Sequence, residues 1–134
     1  MMIKYLVYFA VTFAVFMAID LIWLGVVAKN LYQEYLGYIM AKEVNWAAAV
    51  IFYVIFIIGA LYFVIVPALG SGDVTRLVIS AMLYGFVTYA TYDLTNLATL
   101  ADWPLKITVI DLIWGTSLST LTSVISYFIL WRLF

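Results

Sequence analysis

The chain has 134 residues, of which 69% are hydrophobic, 19% aromatic and only 10% charged. Soluble domains are about half apolar and about a quarter charged, so this chain has too few polar residues to cover a water-soluble core. Six Lys and Arg against seven Asp and Glu leave a net charge of −1, which excludes a basic face for nucleic acid. Neither Cys nor His is present, which excludes disulfides, thiolate catalysis, His-ligated haem or zinc, and Ser-His-Asp chemistry. The composition indicates an integral membrane protein.

Four apolar runs are each long enough to cross a bilayer, which takes about 20 residues. They cover about residues 3–28, 46–69, 74–100 and 105–130. Turn and break signals separate the later runs, at Gly70-Ser71-Gly72-Asp73 and at Asp102-Trp103-Pro104. We expect the first run to be retained as a spanning helix rather than cleaved as a signal peptide, because no small-x-small pattern follows it. The sequence therefore predicts an all-α integral membrane protein, a single domain over 1–134 with four transmembrane helices.

The first loop, residues 29–43, has a helical pattern of its own. Its apolar residues recur at helical spacing, at Leu31, Tyr32, Tyr35, Leu36, Ile39 and Met40. The polar residues Asn30, Gln33 and Glu34 fall on the opposite face. This pattern predicts a short interfacial amphipathic helix between the first and second spans. A connector packed on the end of the bundle and a moving lid remain equally open interpretations.

The basic residues do not determine the orientation in the membrane. The side of the termini carries Lys4, Arg76 and Arg132, and the opposite side carries Lys29, Lys42 and Lys106. Three against three gives the positive-inside rule no preference. From the usual topology of polytopic bacterial proteins we expect a multi-pass protein of the cell inner membrane with cytoplasmic termini.

Three acidic residues lie inside the predicted spans, at Asp20, Asp93 and Asp111. Each would cost about 2.5–3.5 kcal/mol at a lipid-facing helix centre, so all three should point into the bundle, into water or at one another. Asp20 and Asp93 each lie nine residues before the polar residue that ends their run, and Asp111 lies seven residues after Pro104. At 1.5 Å per residue, all three reach a similar level, about 10–13 Å below the face opposite the termini. The sequence predicts one shared polar site.

A repeated element surrounds two of these aspartates. Ile19-Asp20-Leu21-Ile22-Trp23 recurs as Ile110-Asp111-Leu112-Ile113-Trp114, and Tyr92-Asp93-Leu94-Thr95-Asn96 is a looser copy. Each Trp shares a helix face with its Asp and offers it an N–H donor or an aromatic wall; an interfacial anchor is the alternative for Trp23.

Two residues of the third run, Tyr89 and Asn96, share the helix face of Asp93. They join the aspartates and the tryptophans as candidates to bind a proton, a cation or a substrate. The predicted site is Asp20, Asp93, Asp111, Asn96, Tyr89, Trp23 and Trp114.

The fourth run carries a stripe of small and polar residues along one face. These are Thr108, Asp111, Gly115, Ser119, Thr122 and Ser126. Close helix packing through small residues is one interpretation. The other is a hydrated path from the aspartates towards the side of the termini.

Three neighbouring carboxylates cannot all be ionised without compensation, so a proton or a cation must join them. The first hypothesis is proton- or cation-coupled transport or binding of a small molecule, by a homo-oligomer among membrane lipids. The second is a hard-cation site, with Mg²⁺ or Ca²⁺ held by Asp20, Asp93 and Asp111. The third is a membrane-embedded enzyme that acts on lipids with an aspartate acid/base pair. A non-catalytic structural role is the fourth.

Motifs that would sharpen the enzyme hypothesis are missing. The chain has no Walker A loop, no GxSxG and no HExxH. The predicted spans also hold no Lys or Arg in their interiors to grip a phosphate. No residue is assigned a catalytic role, and we lean against an enzyme.

The same motifs resemble a known family. The Ile-Asp-Leu-Ile-Trp-Leu-Gly run at 19–25, the Tyr-Asp-Leu-Thr-Asn run at 92–96, Trp103-Pro104 and the Ile-Asp-Leu-Ile-Trp-Gly run at 110–115 look like domain-of-unknown-function family 2177. The resemblance spans essentially the whole chain. It implies a small bacterial inner-membrane protein and supplies no activity and no catalytic residues.

The predicted architecture is also similar to that of the small multidrug-resistance transporters, which are four-helix dimers with one membrane carboxylate. The present chain departs from them, because its carboxylate late in the first helix is Asp20 and two more aspartates follow. Drug efflux is therefore not carried over.

Overall fold

A computed structural model describes residues 1–134 as helices joined by short turns, with no strand. The four long helices are α1 (Met2–Val27), α3 (Trp46–Ser71), α4 (Val74–Thr99) and α5 (Leu105–Leu133), and the short α2 is Leu31–Leu36. All four long helices are apolar enough to cross a membrane. The prediction of an all-α protein with four transmembrane helices is confirmed. The predicted bounds differ from the observed ones by at most three residues.

Local signals set the helix ends. The Asn45 side chain accepts a hydrogen bond from the Ala48 backbone N–H at 3.1 Å and caps α3. Asp73 caps α4 in the same way, because its side chain accepts a hydrogen bond from the Arg76 backbone N–H at 3.0 Å. Between these helices Gly72 has a φ of 71°, a left-handed conformation that favours glycine.

Two helices contain a wider π-helical turn. In α1 this turn covers Trp23–Val27 and begins three residues after Asp20, and in α3 it covers Leu61–Ile65. Such turns insert a residue relative to the α-helical repeat and occur often near functional sites. The turn in α1 is where that helix meets the start of α2 and the tryptophan of α5.

The bundle is built around α5, which packs along α4 and also contacts α1 and α3. Small residues allow α4 and α5 to approach closely. A Cβ atom at Gly85 would lie 2.3 Å from the Gly115 carbonyl oxygen and 2.6 Å from the Ser119 Cβ. The middle of α4 therefore packs against the middle of α5, where most of the polar residues of these helices lie.

Two apolar clusters fill the interior at different levels. The cluster near the termini contains Tyr8, Ile65, Leu77, Tyr127 and Leu130. The second cluster lies nearer the opposite face and contains Phe16, Phe56, Ile57 and Leu118. Large apolar side chains are exposed along the outer faces of all four long helices, as lipid contact requires.

The first loop is helical only at Leu31–Leu36, and the rest of residues 29–43 consists of turns and irregular chain. The predicted helix is therefore too long. Ile39 and Met40, expected on its apolar face, are about half exposed, at 52% and 49%. Its placement in the membrane interface stays a prediction. We call residues 29–43 the cover segment, because it packs against the start of α5 beside the predicted site.

Candidate functional site

Two of the predicted aspartates meet inside the bundle. Asp93 of α4 is 0% exposed and Asp111 of α5 is 7% exposed, and their carboxyl groups lie within hydrogen-bonding reach of each other. Neither carboxyl oxygen of Asp93 has a hydrogen-bond donor elsewhere. We call Asp93 and Asp111 the acid pair. Two acceptor groups in contact, one of them otherwise unpartnered, require a proton between them to form a hydrogen bond.

A buried network fixes the backbone at Asp93. The Trp103 indole N–H donates to the Thr108 hydroxyl at 3.0 Å, and that hydroxyl lies 3.4 Å from the Asp93 carbonyl oxygen, to which it donates. Trp103 and Thr108 are both buried. The network joins the last turns of α4 to the first turn of α5, so it holds the two carboxyl groups at one level.

Tyr32 of the cover segment reaches the acid pair. Its hydroxyl donates to Asp111 Oδ1 at 2.7 Å and accepts from the Trp23 indole N–H at 3.1 Å. Burial raises the pKa of the Tyr32 hydroxyl well above its ordinary value, and the neighbouring Asp111 carboxyl raises it further. Tyr32 is therefore a neutral donor at physiological pH.

Asp20 lies beside the tryptophan of the other repeat copy. The Trp114 indole lies near the Asp20 carboxyl. The rings of Trp23 and Trp114 stack on each other, with centroids 4.4 Å apart and planes 9° apart. Trp23 is connected to the aspartate of the other copy through Tyr32, which binds both Trp23 and Asp111.

Tyr89 lies against the glycine that follows Trp114. A Cβ atom at Gly115 would come within 2.2 Å of the Tyr89 ring, so only glycine leaves room for that ring. The electrostatic neighbours of the Tyr89 hydroxyl are Asp20, Asp93 and Asp111. The Tyr89 hydroxyl is therefore close enough to all three aspartates to feel their charge.

Two of the expectations for the site are not matched by the geometry. Asn96 is partly exposed and has no hydrogen bond to an aspartate; its amide lies near the Tyr92 hydroxyl instead. The acidic residues form no group of three that could hold a metal ion.

Tyr32 is not among the residues that the sequence predicts for the site, although the spacing of the tyrosines contains a signal. Tyr32, Tyr35 and Tyr38 recur every three residues, and all three bind the region at the start of α5. The Tyr35 hydroxyl accepts from Lys106 Nζ at 2.8 Å, and the Tyr38 hydroxyl donates to the Asp102 carbonyl oxygen. We call these three residues the tyrosine row.

Tyrosine hydroxyls on an otherwise apolar helix face were a sign of partners inside the protein rather than of lipid contact. The sequence pattern places Trp103 only in the break between two spans, although its side chain is buried and its indole N–H donates a hydrogen bond.

Comparisons with known proteins identify a family without an assigned activity. No curated protein and no solved structure matches the chain. The family model described as "Predicted membrane protein (DUF2177)" matches residues 5–128, so the chain belongs to that family.

Proposed function

We propose that this member of the DUF2177 family binds a proton at its acid pair and couples that proton to the binding or movement of a small molecule in the membrane. The observation that carries the proposal is the Asp93 carboxyl group, which is fully buried, lacks any other donor and faces Asp111.

The energetics favour one shared proton. Two ionised carboxylates about 5 Å apart repel by roughly 3 kcal/mol at an effective dielectric constant near 20. A buried carboxylate without a donor adds a large desolvation cost. A single proton on Asp93 removes both costs, because Asp93 then donates to the Asp111 carboxylate. Tyr32 supports this assignment, since it donates to Asp111 and stabilises the ionised partner.

A proton suits the acid pair better than a metal ion. Mg²⁺ and Ca²⁺ take six or more oxygen ligands. The acid pair offers two carboxyl groups and one tyrosine hydroxyl, and no third acidic side chain completes the set.

Coupling follows from the cost of losing the proton. Once Asp93 is ionised, the pair must separate, take up water or bind a cationic group. Separation of the pair moves a helix or the cover segment, since Asp93 is on α4, Asp111 is on α5 and Tyr32 is in the cover segment. Proton release and a change of shape are therefore linked.

Infrared spectroscopy of the purified protein tests the proposal. We expect the carbonyl band of a protonated carboxylic acid at neutral pH, a loss of that band as the pH is raised, and a smaller band in Asp93→Asn. The matched control is Glu43→Gln, which changes an exposed residue of the cover segment and should leave the band unchanged. A band of equal amplitude in wild type and Asp93→Asn would overturn the proposal.

A further inference from the structure

A set of buried hydroxyl groups runs through the lower half of the bundle, towards the termini. Thr12 of α1 and Thr122, Ser123 and Ser126 of α5 are each at most 1% exposed, and none of their hydroxyl groups has a hydrogen-bond partner. We call these four residues the hydroxyl row. They are the only buried side-chain groups without a partner apart from the Asp93 carboxyl.

Other hydroxyl groups of the same helices are satisfied locally. A helical Ser or Thr commonly donates to the carbonyl oxygen one turn earlier. Thr116, Ser117 and Thr120 of α5 do so at 2.7–2.8 Å. Thr122, Ser123 and Ser126 lie on the buried side of the same helix, and neither they nor Thr12 of α1 make such a bond. Packing through small residues therefore does not explain these residues, because alanine or valine would pack without an unpaired polar group.

The packing of α1 on α5 places the four residues at neighbouring levels. Tyr8 packs in one cluster with Tyr127, and Phe16 packs in the other with Leu118. Four residues after Tyr8 and four before Phe16, Thr12 therefore faces the level of Thr122 and Ser123. Ser126 lies one turn closer to the termini.

The hydroxyl row lies between the acid pair and a cleft near the termini. Towards the acid pair, the next residues on the same face of α5 are Ser119, whose hydroxyl donates to the Ala81 carbonyl oxygen at 2.7 Å, and Gly115, which is covered by the Tyr89 ring. Towards the termini, one turn beyond Ser126, Leu130 lines a cleft of about 350 Å³ together with Lys4, Tyr8, Leu69, Trp131 and Phe134.

We propose that the hydroxyl row binds a chain of internal water molecules and that this chain carries protons between the acid pair and the cleft near the termini. Buried water molecules typically bond to polar groups that the protein leaves unpaired, and Thr12, on a different helix, supplies such a group opposite those of α5. The proton-carrying role rests on the proposed function, whereas the hydration of the row does not. Tyr89 separates the upper end of the chain from the acid pair.

Single cysteines test the hydration of the row directly, because the chain has no cysteine of its own. Ser123→Cys and Ser126→Cys keep nearly the size of the native side chain. The probe is the silver ion, close to water in size, in chloride-free buffer; thiols that remain free are then counted with a maleimide after unfolding. We expect these thiols to react at least ten times faster than that of Ser117→Cys, on the exposed face of α5. Equal or slower reaction would overturn the proposal.

Isotope exchange tests the proton-carrying role. After transfer into D2O, the carboxylic acid band of the acid pair should shift at least five times more slowly in Thr122→Val than in wild type. The control Thr116→Val removes a hydroxyl group that is already bonded within its helix and should exchange like wild type. Equal rates in Thr122→Val and wild type would exclude the row as the proton path.

The failures of the two proposals are distinguishable. Reactive thiols in a protein without the carboxylic acid band would leave a hydrated row and remove the proton site. The band without reactive thiols would leave the proton site and remove the row.

Discussion

At the scale of single residues, the two copies of the repeated pentapeptide contact each other. Trp23 and Trp114 occupy the same position in the two copies, and their rings stack where α1 crosses α5. The Trp23 indole N–H donates to Tyr32, whose hydroxyl donates in turn to Asp111, and the Trp114 indole lies near Asp20. The stacked pair therefore forms an aromatic wall between the two aspartates of the repeat.

The Tyr32 hydroxyl contributes a stability that depends on pH. Its pKa is raised in the folded protein, so the folded state holds this proton more tightly than the unfolded state does. The contribution is present below the ordinary tyrosine pKa of about 10 and is lost as the pH rises above it. We expect Tyr32→Phe to lower the free energy of unfolding by about 1–3 kcal/mol at pH 7, the cost of an unpaired buried acceptor.

The difference between wild type and Tyr32→Phe should then shrink above pH 10, as measured by denaturant titration in detergent. Tyr5→Phe is the control, since Tyr5 is 52% exposed and forms no hydrogen bond. A difference that stayed constant from pH 7 to pH 11 would show that folding does not raise the pKa of Tyr32, and no difference at pH 7 would show that the bond to Asp111 does not stabilise the fold.

At the scale of helices and loops, hydropathy predicts the four spans but neither the extent of α2 nor the π-helical turn of α1. Runs of apolar residues and the breaks at Gly72 and Asp102 have local causes, so the sequence reports them directly. The extent of α2 and the π turn at Trp23–Val27 depend on contacts with α5, which no local pattern contains.

The same distinction between local and long-range causes applies to the candidate site. Counting residues along each helix gave the similar level of the three aspartates, because helix rise is constant. The count does not predict which side chains contact each aspartate. Whether Asp20 meets Asp93 or Trp114 depends on how α1 is rotated against α5, and the Tyr32 contact joins residues 79 positions apart in the chain. Asn96 is predicted from spacing alone, and its amide lies near the hydroxyl of Tyr92, one turn earlier on the same helix.

The packing of α4 on α5 should depend on Gly115. A methyl group there would overlap the Tyr89 ring, so Gly115→Ala must push the ring and α4 away. We expect a loss of about 1–3 kcal/mol in unfolding free energy, the usual cost of overpacking. Gly25→Ala is the matched control, because nothing lies within 4 Å of a Cβ atom at that position. Equal stability of the two variants would argue against close packing at Gly115.

The cover segment should loosen when the outer part of the tyrosine row is removed. Tyr35→Phe with Tyr38→Phe deletes the bonds to Lys106 and to the Asp102 carbonyl oxygen and leaves Tyr32 in place. We expect trypsin to cleave the double variant at Lys29 or Lys42 several times faster than wild type, because local opening limits such cleavage. An unchanged rate would mean that Tyr32 alone holds the segment.

At the scale of the whole molecule, the polar groups form one column through an apolar bundle. The cover segment and acid pair lie at one end, and the hydroxyl row lies in the half of the bundle towards the termini. α5 contributes to every level of this column and is the most buried of the four long helices. A bundle held together by apolar packing alone would not need to concentrate its buried polar groups on one helix face.

This arrangement leads to a prediction for the intact protein in a membrane. In sealed liposomes with an imposed pH gradient and a freely permeant counter-ion, we expect wild type to dissipate the gradient at least several times faster than Asp93→Asn, because the variant has no carboxyl group to carry the proton at that position. Glu43→Gln should match wild type, since its side chain is exposed. A pH-sensitive dye inside the liposomes measures the rate.

The competing hypotheses predict different results in the same preparation. A structural role for the aspartates predicts equal, slow dissipation by wild type and Asp93→Asn, with the variant less stable to heat. An enzyme that acts on lipids predicts altered lipid in detergent micelles, where no gradient exists. Tight coupling to a small molecule predicts slow dissipation by wild type until that molecule is supplied. In that case the carboxylic acid band of Asp93 should still titrate, since proton binding at the acid pair does not require a closed compartment.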